Sequence, residues 1–286
     1  MLIRQKTNLN LGSKLYLVAT PIGNLDDMTY RAVKILKEVD MIYCEDTRIT
    51  SRLLNYYNIN TKLKSYHLFN ENEITDQMVD EVKAGKNIAI VSDAGMPGIS
   101  DPGFLAVLRA IEKEVTVEVI PGPSASLTAL VGSGIEPFRF TFIGFLNSST
   151  SKREKELQKL KDNETTLILY EAPHRIEATL KLLDEIMPTR HIVLVRELTK
   201  PYEEYLRGTP HEILEVVNEL KGEMVIIIEA ESIEEENEEL LLKTIKEHYQ
   251  YYLALGHDSK SAMKLVAKDR GISKSIIYQE ILGKNK

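Results

Sequence analysis

Apolar residues occur in short runs along this chain, and most runs are followed by a segment with helical spacing of apolar and polar positions. Runs of about four to eight apolar and β-branched residues are typical of buried strands. Such runs predict eight strands, at 15–20, 41–46, 87–93, 115–121, 139–145, 165–171, 191–197 and 223–229. Because a parallel crossover needs a long and usually helical connection, this alternation predicts an α/β fold with mostly parallel sheets.

Helix-starting residues precede several of the connecting segments. Asp26 and Asp27 precede the amphipathic segment 29–39, and Asn70 precedes the segment 74–85. Pro173 stands before a third segment that carries the same spacing. Polar caps and an early proline are typical of helix N-termini, so we expect a helix in each segment.

The strands are expected to form two sheets rather than one large sheet. Glycines and a proline interrupt a short helical pattern at 124–139, which we take as the seam. The predicted organisation is therefore an N-terminal α/β lobe at 1–125, a second α/β lobe at 126–230 with the ligand in the cleft between them, and a helical unit at 231–286.

The C-terminal unit has its own composition. It begins with a glutamate-rich segment, 231–250, and ends with a lysine-rich one, 256–286. Two short amphipathic patterns on either side of Gly271 resemble a helix-turn-helix. Such a pair either contacts nucleic acid or packs on protein, and both alternatives stay open from the sequence.

The composition of the chain indicates its cellular compartment and the kinds of partner it can bind. The 286 residues are 43% hydrophobic and 28% charged, with a formal net charge of −7, so any polyanion must find a local basic patch. Cys44 is the one cysteine, and the first residues lack the apolar run of a secretory signal. No apolar run approaches the roughly 20 residues of a membrane span. We therefore expect a cytoplasmic protein without a membrane anchor.

Unusual residues concentrate in the loops that follow predicted strands. These loops are rich in Gly, Pro, Asp, Arg and His and cover 20–24, 44–48, 92–103, 121–126, 171–175 and 196–204. The turns expected at the opposite edge, 83–87, 188–191 and 220–223, are ordinary. Because ligands of open α/β sheets bind beyond the carboxyl ends of the strands, we expect a ligand site at the first edge.

The absence of several known motifs excludes some classes of ligand and of chemistry. The chain lacks GxxxxGK[ST], GxGxxG and GxSxG, and it has no Cys and His spacing typical of zinc, so we predict no metal. The loop 92–103 holds two acids, three glycines and two prolines but no Lys or Arg. Such a loop suits a ligand without phosphate that carries hydroxyls or a positive charge, although its glycines alone would also explain a turn.

Five motifs together resemble one protein family. TPIGNLDDMT, EDTR, SDAGMPGISDPG, PGPSA and EAPHR follow one another here as they do in the bacterial ribosomal small-subunit RNA methyltransferase I family. The resemblance covers about residues 12–230 and the small C-terminal unit. It implies the tetrapyrrole-methylase fold, S-adenosylmethionine as cofactor, a homodimer, and methylation of a cytidine ribose 2′-oxygen in the decoding region of 16S ribosomal RNA.

The resemblance also assigns the cofactor site. It implies that the binding residues are Thr20, Pro21, Ile22, Gly23, Asp93, Ala94, Gly95, Met96, Pro97, Ser124, Ala125 and Tyr170. Met96 departs from the family, which more often has Thr there. We expect the loop around Met96 to bind the ligand through main-chain groups, so a different side chain at this position leaves the assignment of the cofactor site intact.

Methyl transfer to a hydroxyl needs a base within hydrogen-bond reach. The candidates are the acids and the histidine in the loops at the predicted ligand-binding edge: Glu45, Asp46, Glu171, His174 and Glu197. Glu171 and His174 rank first, because EAPHR places them at a helix N-terminus. The arginines of the same edge are candidate partners for RNA phosphates: Arg48, Arg175 and Arg196. The alternative is structural: Glu171 caps the following helix and Arg175 pairs with a carboxylate.

RNA contact is expected from basic and aromatic side chains. Lys152 and Arg153 lie in the basic stretch 148–161, and the C-terminal unit adds further lysines, Lys260, Lys264, Lys268 and Lys274. Tyr56, Tyr57, Tyr66 and Phe69 are either base-stacking groups or core residues. Two other functions stay open: a tetrapyrrole methyltransferase of the same fold, and a non-catalytic scaffold that keeps the cleft.

Overall fold

The computed structural model describes residues 4, 5, 7, 12–230 and 240–283. The chain divides into two compact units, Met1–Glu229 and Ala230–Lys286. None of the described helices is long and apolar enough to cross a membrane. The glutamate-rich run 231–239 lies outside the described residues.

The first unit begins with a five-stranded, fully parallel sheet. Its strands are β1 (Lys14–Val18), β2 (Met41–Cys44), β3 (Leu63–Ser65), β4 (Ile88–Val91) and β5 (Thr116–Ile120). They lie in the order β3-β2-β4-β1-β5. The connecting helices are α1 (Tyr30–Glu38), α2 (Thr47–Tyr56), α3 (Glu71–Lys83) and α4 (Phe104–Glu112).

Helices cover both faces of this sheet. Alternate residues of each strand point to opposite faces, so one strand contributes to two apolar clusters. Ile88 and Ile90 of β4 pack in one cluster with apolar side chains of α3 and α4. Ala89 and Val91 pack in the other cluster, with α1 and α2. All four residues of β4 are therefore buried, as expected of a central parallel strand.

The second sheet also has five strands, but it is mixed. Its strands are β6 (Phe140–Phe145), β7 (Thr166–Glu171), β8 (Ile192–Arg196), β9 (Glu204–Gly208) and β10 (Met224–Ile228), in the order β6-β7-β10-β8-β9. β6 and β7 are parallel, whereas β10 runs antiparallel to β7 and β8, and β9 runs antiparallel to β8. The helices that accompany it are α5 (Ala125–Ser133), α6 (Thr150–Leu160), α7 (Ile176–Ile186) and α8 (Pro210–Leu214).

The α/β fold class is confirmed, and the strands form two sheets. Each of the eight apolar runs contains a strand, and the three predicted helices are α1, α3 and α7. The segment 124–139 forms α5, which contacts β7, β8 and β10 of the second sheet. The expected lobe boundary after residue 125 stays a prediction, since both sheets belong to one compact unit.

Two strands of the structure were not predicted from the apolar runs in the sequence. β3 and β9 are edge strands of their sheets. Neither is an apolar run: β3 reads LKS and β9 reads EYLRG. An edge strand is partly open to solvent, so it does not need the continuous apolar run that marks a buried strand.

The C-terminal unit contains α9 (Ile245–Ala254), α10 (Ser259–Asp269) and α11 (Lys274–Leu282). α10 and α11 are the predicted helix pair, and Gly271 between them has a φ of +60°. His248 is completely buried: its Nε2 lies 3.2 Å from Asp269 Oδ2, and its Nδ1 accepts a hydrogen bond from Arg270 at 3.1 Å. The Arg270 donor fixes Nδ1 as an acceptor, and burial lowers the pKa of His248, so the ring is neutral.

Candidate active site

A cavity of about 380 Å³, here called the main cavity, opens at the carboxyl edge of the first sheet. The loops after β1, β4, β5, β7 and β8 line it, together with the start of β10. The predicted cofactor residues in its lining are Ile22, Asp93, Ala94, Gly95, Met96, Ser124, Ala125 and Tyr170. Its volume lies within the range of about 300–1,000 Å³ that is typical of small-molecule sites.

A second cavity of about 350 Å³, the adjoining cavity, shares Ile22, Asp93 and Ala94 with the main cavity. Pro21 and Gly23 line this second space. Unlike the main cavity, it has two basic side chains in its lining, Arg52 and Lys200. The two cavities therefore meet at the loops after β1 and β4 but differ in charge.

Gly23 marks a close approach between two loops that line the cavities. A Cβ atom at this position would lie 2.7 Å from the carbonyl oxygen of Leu198. The next residue, Asn24, donates its backbone N–H to the Thr199 hydroxyl at 3.0 Å. A side chain at position 23 would therefore separate the loop after β1 from the loop after β8.

Thr20 and Pro97 belong to the predicted cofactor set but do not line either cavity. Thr20 and Gly95 instead exchange two backbone hydrogen bonds, of 2.9 and 3.0 Å. The Thr20 hydroxyl also donates to the Ser92 carbonyl oxygen at 3.1 Å. Thr20 is therefore buried in a clamp that joins the loop after β1 to the loop after β4.

Glu171 lines the main cavity but has both carboxylate oxygens engaged, and it is only 2% exposed. Its Oε1 accepts the N–H of Ala172 at 2.9 Å and lies 3.2 Å from Nε of Arg175. Its Oε2 accepts the hydroxyl of Thr179 at 2.5 Å. These contacts match the structural alternative for EAPHR, in which Glu171 binds the helix that follows it and Arg175 pairs with a carboxylate.

Two arginines extend this network to the loop after β6. Arg175 donates to the carbonyl oxygen of Leu146 at 2.7 Å, and Arg153 donates to the Thr179 hydroxyl at 3.0 Å. Arg153 is 3% exposed and also donates to the carbonyl oxygen of Ser148 at 3.2 Å. The expectation that Arg153 contacts RNA is therefore wrong: its guanidinium is buried and holds the backbone of this loop.

The other predicted catalytic residues lie outside the lining of the main cavity. Arg48 is exposed and pairs with Asp46 at 2.6 Å, and this contact lowers the pKa of Asp46 to about 2. His174 is exposed, and Glu45 is half-buried close to Asp93. The catalytic roles of Glu45, Arg48, Glu171, His174 and Arg175 stay predictions.

The remaining charged candidates of this edge, Arg196 and Glu197, are each paired with a residue that follows β8. Arg196 donates to Glu204 at 2.5 Å, and Lys200 lies 2.9 Å from Glu197. Both contacts join the end of β8 to the residues that follow it. They hold this loop in place beside the adjoining cavity.

Glu223, Met224 and Val225 line the main cavity, although the sequence placed the turn 220–223 at the opposite edge. That prediction was wrong because β10 is antiparallel to its neighbours, so its start meets the ends of β7 and β8. Apolar runs do not carry strand direction. Gly222, the residue before Glu223, has a φ of +88°. A glycine at this position was the sequence signal for an unusual turn.

The sequence also did not single out Asp101, which lines the main cavity within the loop 92–103. Burial raises the pKa of Asp101 to about 7, and the charges of Glu45 and Asp93 contribute to this rise. Burial also raises the pKa of Asp93, whose Oδ1 accepts the N–H of Asp46 at 3.1 Å. The site is therefore acidic, and its carboxylates repel one another.

Cationic side chains are absent from the main cavity as far as the described residues show, since no Lys, Arg or His lines it. Within the same residues, no group of three or more His, Cys, Asp or Glu side chains is placed to hold a metal ion. The cavity presents main-chain groups, apolar side chains and carboxylates. This set of groups favours a neutral or positively charged ligand over a phosphate.

Glu171→Gln should lower the free energy of unfolding by about 3 kcal/mol, because it removes the buried counter-charge of Arg175. Urea unfolding at pH 7.5 measures the change. Glu177→Gln is the matched control on α7, the helix that Glu171 contacts through Thr179. Glu177 forms an exposed pair with Lys181, so this substitution should cost less than about 1 kcal/mol. Equal effects of the two substitutions would contradict a structural role for Glu171.

Asp101→Asn should stabilise the protein at pH 8 but not at pH 4. The folded-state pKa of Asp101 is raised to about 7, so its stabilising contribution is complete below the unfolded pKa and is lost as the pH rises through 7. The gain should amount to a few degrees in Tm, given roughly 2–4 °C per kcal/mol for domains of this size. Thermal scans of both proteins between pH 4 and pH 8 test this, and a pH-independent difference would contradict it.

Comparison with known proteins places the chain in a family. The model of the tetrapyrrole (corrin/porphyrin) methylases matches residues 14–214. The chain is 47% identical to the ribosomal RNA small subunit methyltransferase I of Halalkalibacterium halodurans, over 92% of this chain and 93% of that protein. The protein of the same name from Bacillus subtilis is 46% identical, with 92% of each chain covered.

Solved structures agree on the fold. Diphthine synthase superposes with a TM-score of 0.60 at 14% identity, covering 76% of this chain and 90% of that one. A cobalt precorrin-4 methyltransferase superposes with a TM-score of 0.58 at 19% identity, covering 76% and 94%. At such identities the likeness concerns the fold alone. The family model and the relatives at 46–47% identity show that the chain belongs to the tetrapyrrole methylase family and, within it, to the ribosomal RNA small subunit methyltransferases I.

Proposed function

We propose that this protein transfers the methyl group of S-adenosylmethionine to the ribose 2′-oxygen of a cytidine in the decoding region of 16S ribosomal RNA. The observation that carries the proposal is the main cavity, whose lining combines main-chain groups with the carboxylates of Asp93 and Asp101. Membership of the family supplies the class of reaction. The choice of the cytidine and of the 2′-oxygen follows the sequence resemblance.

The residues present fit S-adenosylmethionine. Its adenosine is neutral and its sulfonium is positive, which suits a cavity with carboxylates and, among the described residues, no cationic side chain in its lining. Gly95, Met96, Ala125 and Tyr170 would hold it, with Asp93 supplying negative charge. When bound, the cofactor supplies a methyl carbon that is already activated by the adjacent sulfonium.

The chain's own residues would orient the nucleophile. In an in-line displacement, much of the rate comes from holding the attacking oxygen behind the methyl carbon. The adjoining cavity meets the main cavity at Ile22 and Asp93, and its lining includes Arg52 and Lys200. We place the target nucleotide there, with these two cations near the phosphates that flank it.

An exposed aromatic side chain stands on the same edge of the first sheet. Phe69 is 96% exposed in the loop between β3 and α3, and Asn70 fixes this loop by accepting the N–H of His67 at 2.8 Å. Tyr66, by contrast, is buried, and its hydroxyl contacts Thr75 at 3.0 Å. Phe69 is therefore the candidate stacking group for an RNA base, and Tyr66 belongs to the core.

We further propose a cytoplasmic homodimer that acts on the assembled small subunit. The sequence resemblance implies the dimer, and one helix face is consistent with it. Leu127 and Val131 lie one turn apart on α5, and both are exposed. Phe138, which follows this helix, is also exposed. Apolar side chains grouped in this way are typical of surfaces that bind protein.

Primer extension at low nucleotide concentration tests the function. On 16S RNA from cells that contain the gene, we expect a stop at a cytidine of the decoding region, and the stop should be lost when the gene is deleted. Purified protein with S-adenosylmethionine should restore the stop on small subunits from the deletion strain. An unchanged stop pattern together with binding of a porphyrinoid would instead identify a tetrapyrrole methyltransferase.

Phe69→Ala should raise the KM for the small subunit roughly tenfold, because stacking of one base contributes about 1–3 kcal/mol. Binding of S-adenosylhomocysteine and the Tm should not change, since the side chain is almost fully exposed. Tyr56→Ala is the matched control: Tyr56 is an exposed aromatic at the end of α2, on the opposite edge of the sheet. Equal KM values for the two variants would contradict the stacking role.

A further inference from the structure

Asp101 is held in the wall of the main cavity by a tight loop. Gly98 donates its N–H to the carbonyl oxygen of Pro102 at 3.1 Å, which closes the loop on itself. Ser100, the residue before Asp101, has a φ of +65°, a left-handed conformation that is uncommon for a residue with a side chain. Backbone strain of this kind persists where the surrounding structure imposes it and is often found at active sites.

The other carboxylates of the main cavity are already engaged. Glu171 accepts the hydroxyl of Thr179 on the helix that follows it, and Glu223 lies 3.5 Å from the ammonium group of Lys200. Asp93 accepts the backbone N–H of Asp46. Asp101 has neither a hydrogen bond nor an ion pair to any residue that the structure describes. It is the lining acid whose oxygens are left for a ligand.

The surroundings of Asp101 adapt it to accept a proton near neutral pH. Burial raises its pKa to about 7, and two acids add to the effect: Glu45 on the loop after β2, and Asp93 at the start of the same loop as Asp101. A general base works best when its pKa lies close to the operating pH. By comparison, a carboxylate with its usual pKa near 4 would be a weak acceptor for a hydroxyl proton.

We propose that Asp101 is the general base that removes the proton from the ribose 2′-hydroxyl. The inference rests on the proposed function and deepens it. As the bond between the 2′-oxygen and the methyl carbon forms, the bond between that carbon and sulfur breaks. The sulfonium becomes a neutral thioether, and the hydroxyl proton ends on the carboxylate of Asp101. Glu171 is then a positioning residue: it pairs with Arg175, which holds the loop after β6 next to Phe145 in the cavity wall.

Asp101→Asn should lower kcat on small subunits by roughly 100-fold or more, since a positioned base contributes about 10²–10⁴-fold. Its affinity for S-adenosylhomocysteine, measured by calorimetry, should stay within threefold of the wild-type value. Asp162→Asn is the matched control, because Asp162 is an exposed aspartate outside both cavities, and it should keep wild-type turnover. Turnover of Asp101→Asn within threefold of wild type would overturn the proposal, as would a loss of affinity equal to the loss of turnover.

The pH dependence gives a second test that does not need the variant to be active. In the wild type, kcat/KM should rise about tenfold per pH unit up to about pH 7 and then level off, because only ionised Asp101 accepts the proton. Glu45→Gln removes a nearby negative charge, so it should shift this midpoint to lower pH. Loss of turnover in Glu45→Gln with an active Asp101→Asn would assign the base to Glu45 instead.

A spectroscopic measurement is independent of turnover. Carbon-13 NMR of aspartate-labelled protein should show one carboxyl signal with a midpoint near pH 7, and Asp101→Asn should lack it. A signal that persists in the variant would refute the assignment. If the wild type binds S-adenosylhomocysteine but methylates no ribosomal RNA, the proposed function fails as well. An active wild type with an equally active Asp101→Asn refutes the base alone.

Discussion

Five parallel strands must end at one edge of the first sheet, and the candidate site depends on this constraint. Each strand delivers its following loop to the same place, so segments far apart in sequence come together there. The backbone bridge between Thr20 and Gly95 then fixes two of these loops to each other, although 74 residues separate them and no side chain is needed for the contact. Backbone hydrogen bonds thus hold together two of the loops that line the cavity.

Carboxylates in this site differ in function because they differ in partners. Glu171 and Asp101 both line the main cavity, yet Glu171 is held by Thr179 and Arg175, whereas the charges that act on Asp101 are those of two acids, Glu45 and Asp93. Opposite charge and hydrogen bonds keep a carboxylate ionised, and burial beside like charge favours its protonated form. The first arrangement stabilises the fold, and the second suits proton transfer. The same side-chain chemistry therefore supports structure at one wall and reactivity at another.

A similar principle governs the C-terminal unit, considered by itself. His248 is buried between Asp269 and Arg270, and the arginine donor keeps the ring neutral. Polar groups that are fully satisfied in this way specify one packing of a small core. Around them the apolar side chains of Tyr249, Met263 and Val266 form the cluster that holds the three helices together. The helix pair is thus held by a small core of its own.

Much of the fold followed from the sequence, for a physical reason. Buried strands need apolar runs and crossovers need amphipathic helices, so the eight core strands and the α/β class were predictable. The clustering of Gly, Pro and charged residues after strands also indicated the edge that carries the site. Most of the residues assigned through the family resemblance, such as Ile22, Gly95 and Tyr170, do line one cavity.

Strand direction and partner choice were decided only by the tertiary structure. The antiparallel placement of β10 brought Glu223 to the cavity, although an apolar run reads the same in both directions. Arg153 seemed to belong to a solvated basic surface, yet it is buried against Thr179, which follows it by 26 residues. Asp101 acquired its raised pKa mainly from burial in the cavity wall, with a contribution from Glu45 on another loop. The sequence determined which groups are present at this edge, and long-range packing decided which of them are paired and which are left free to react.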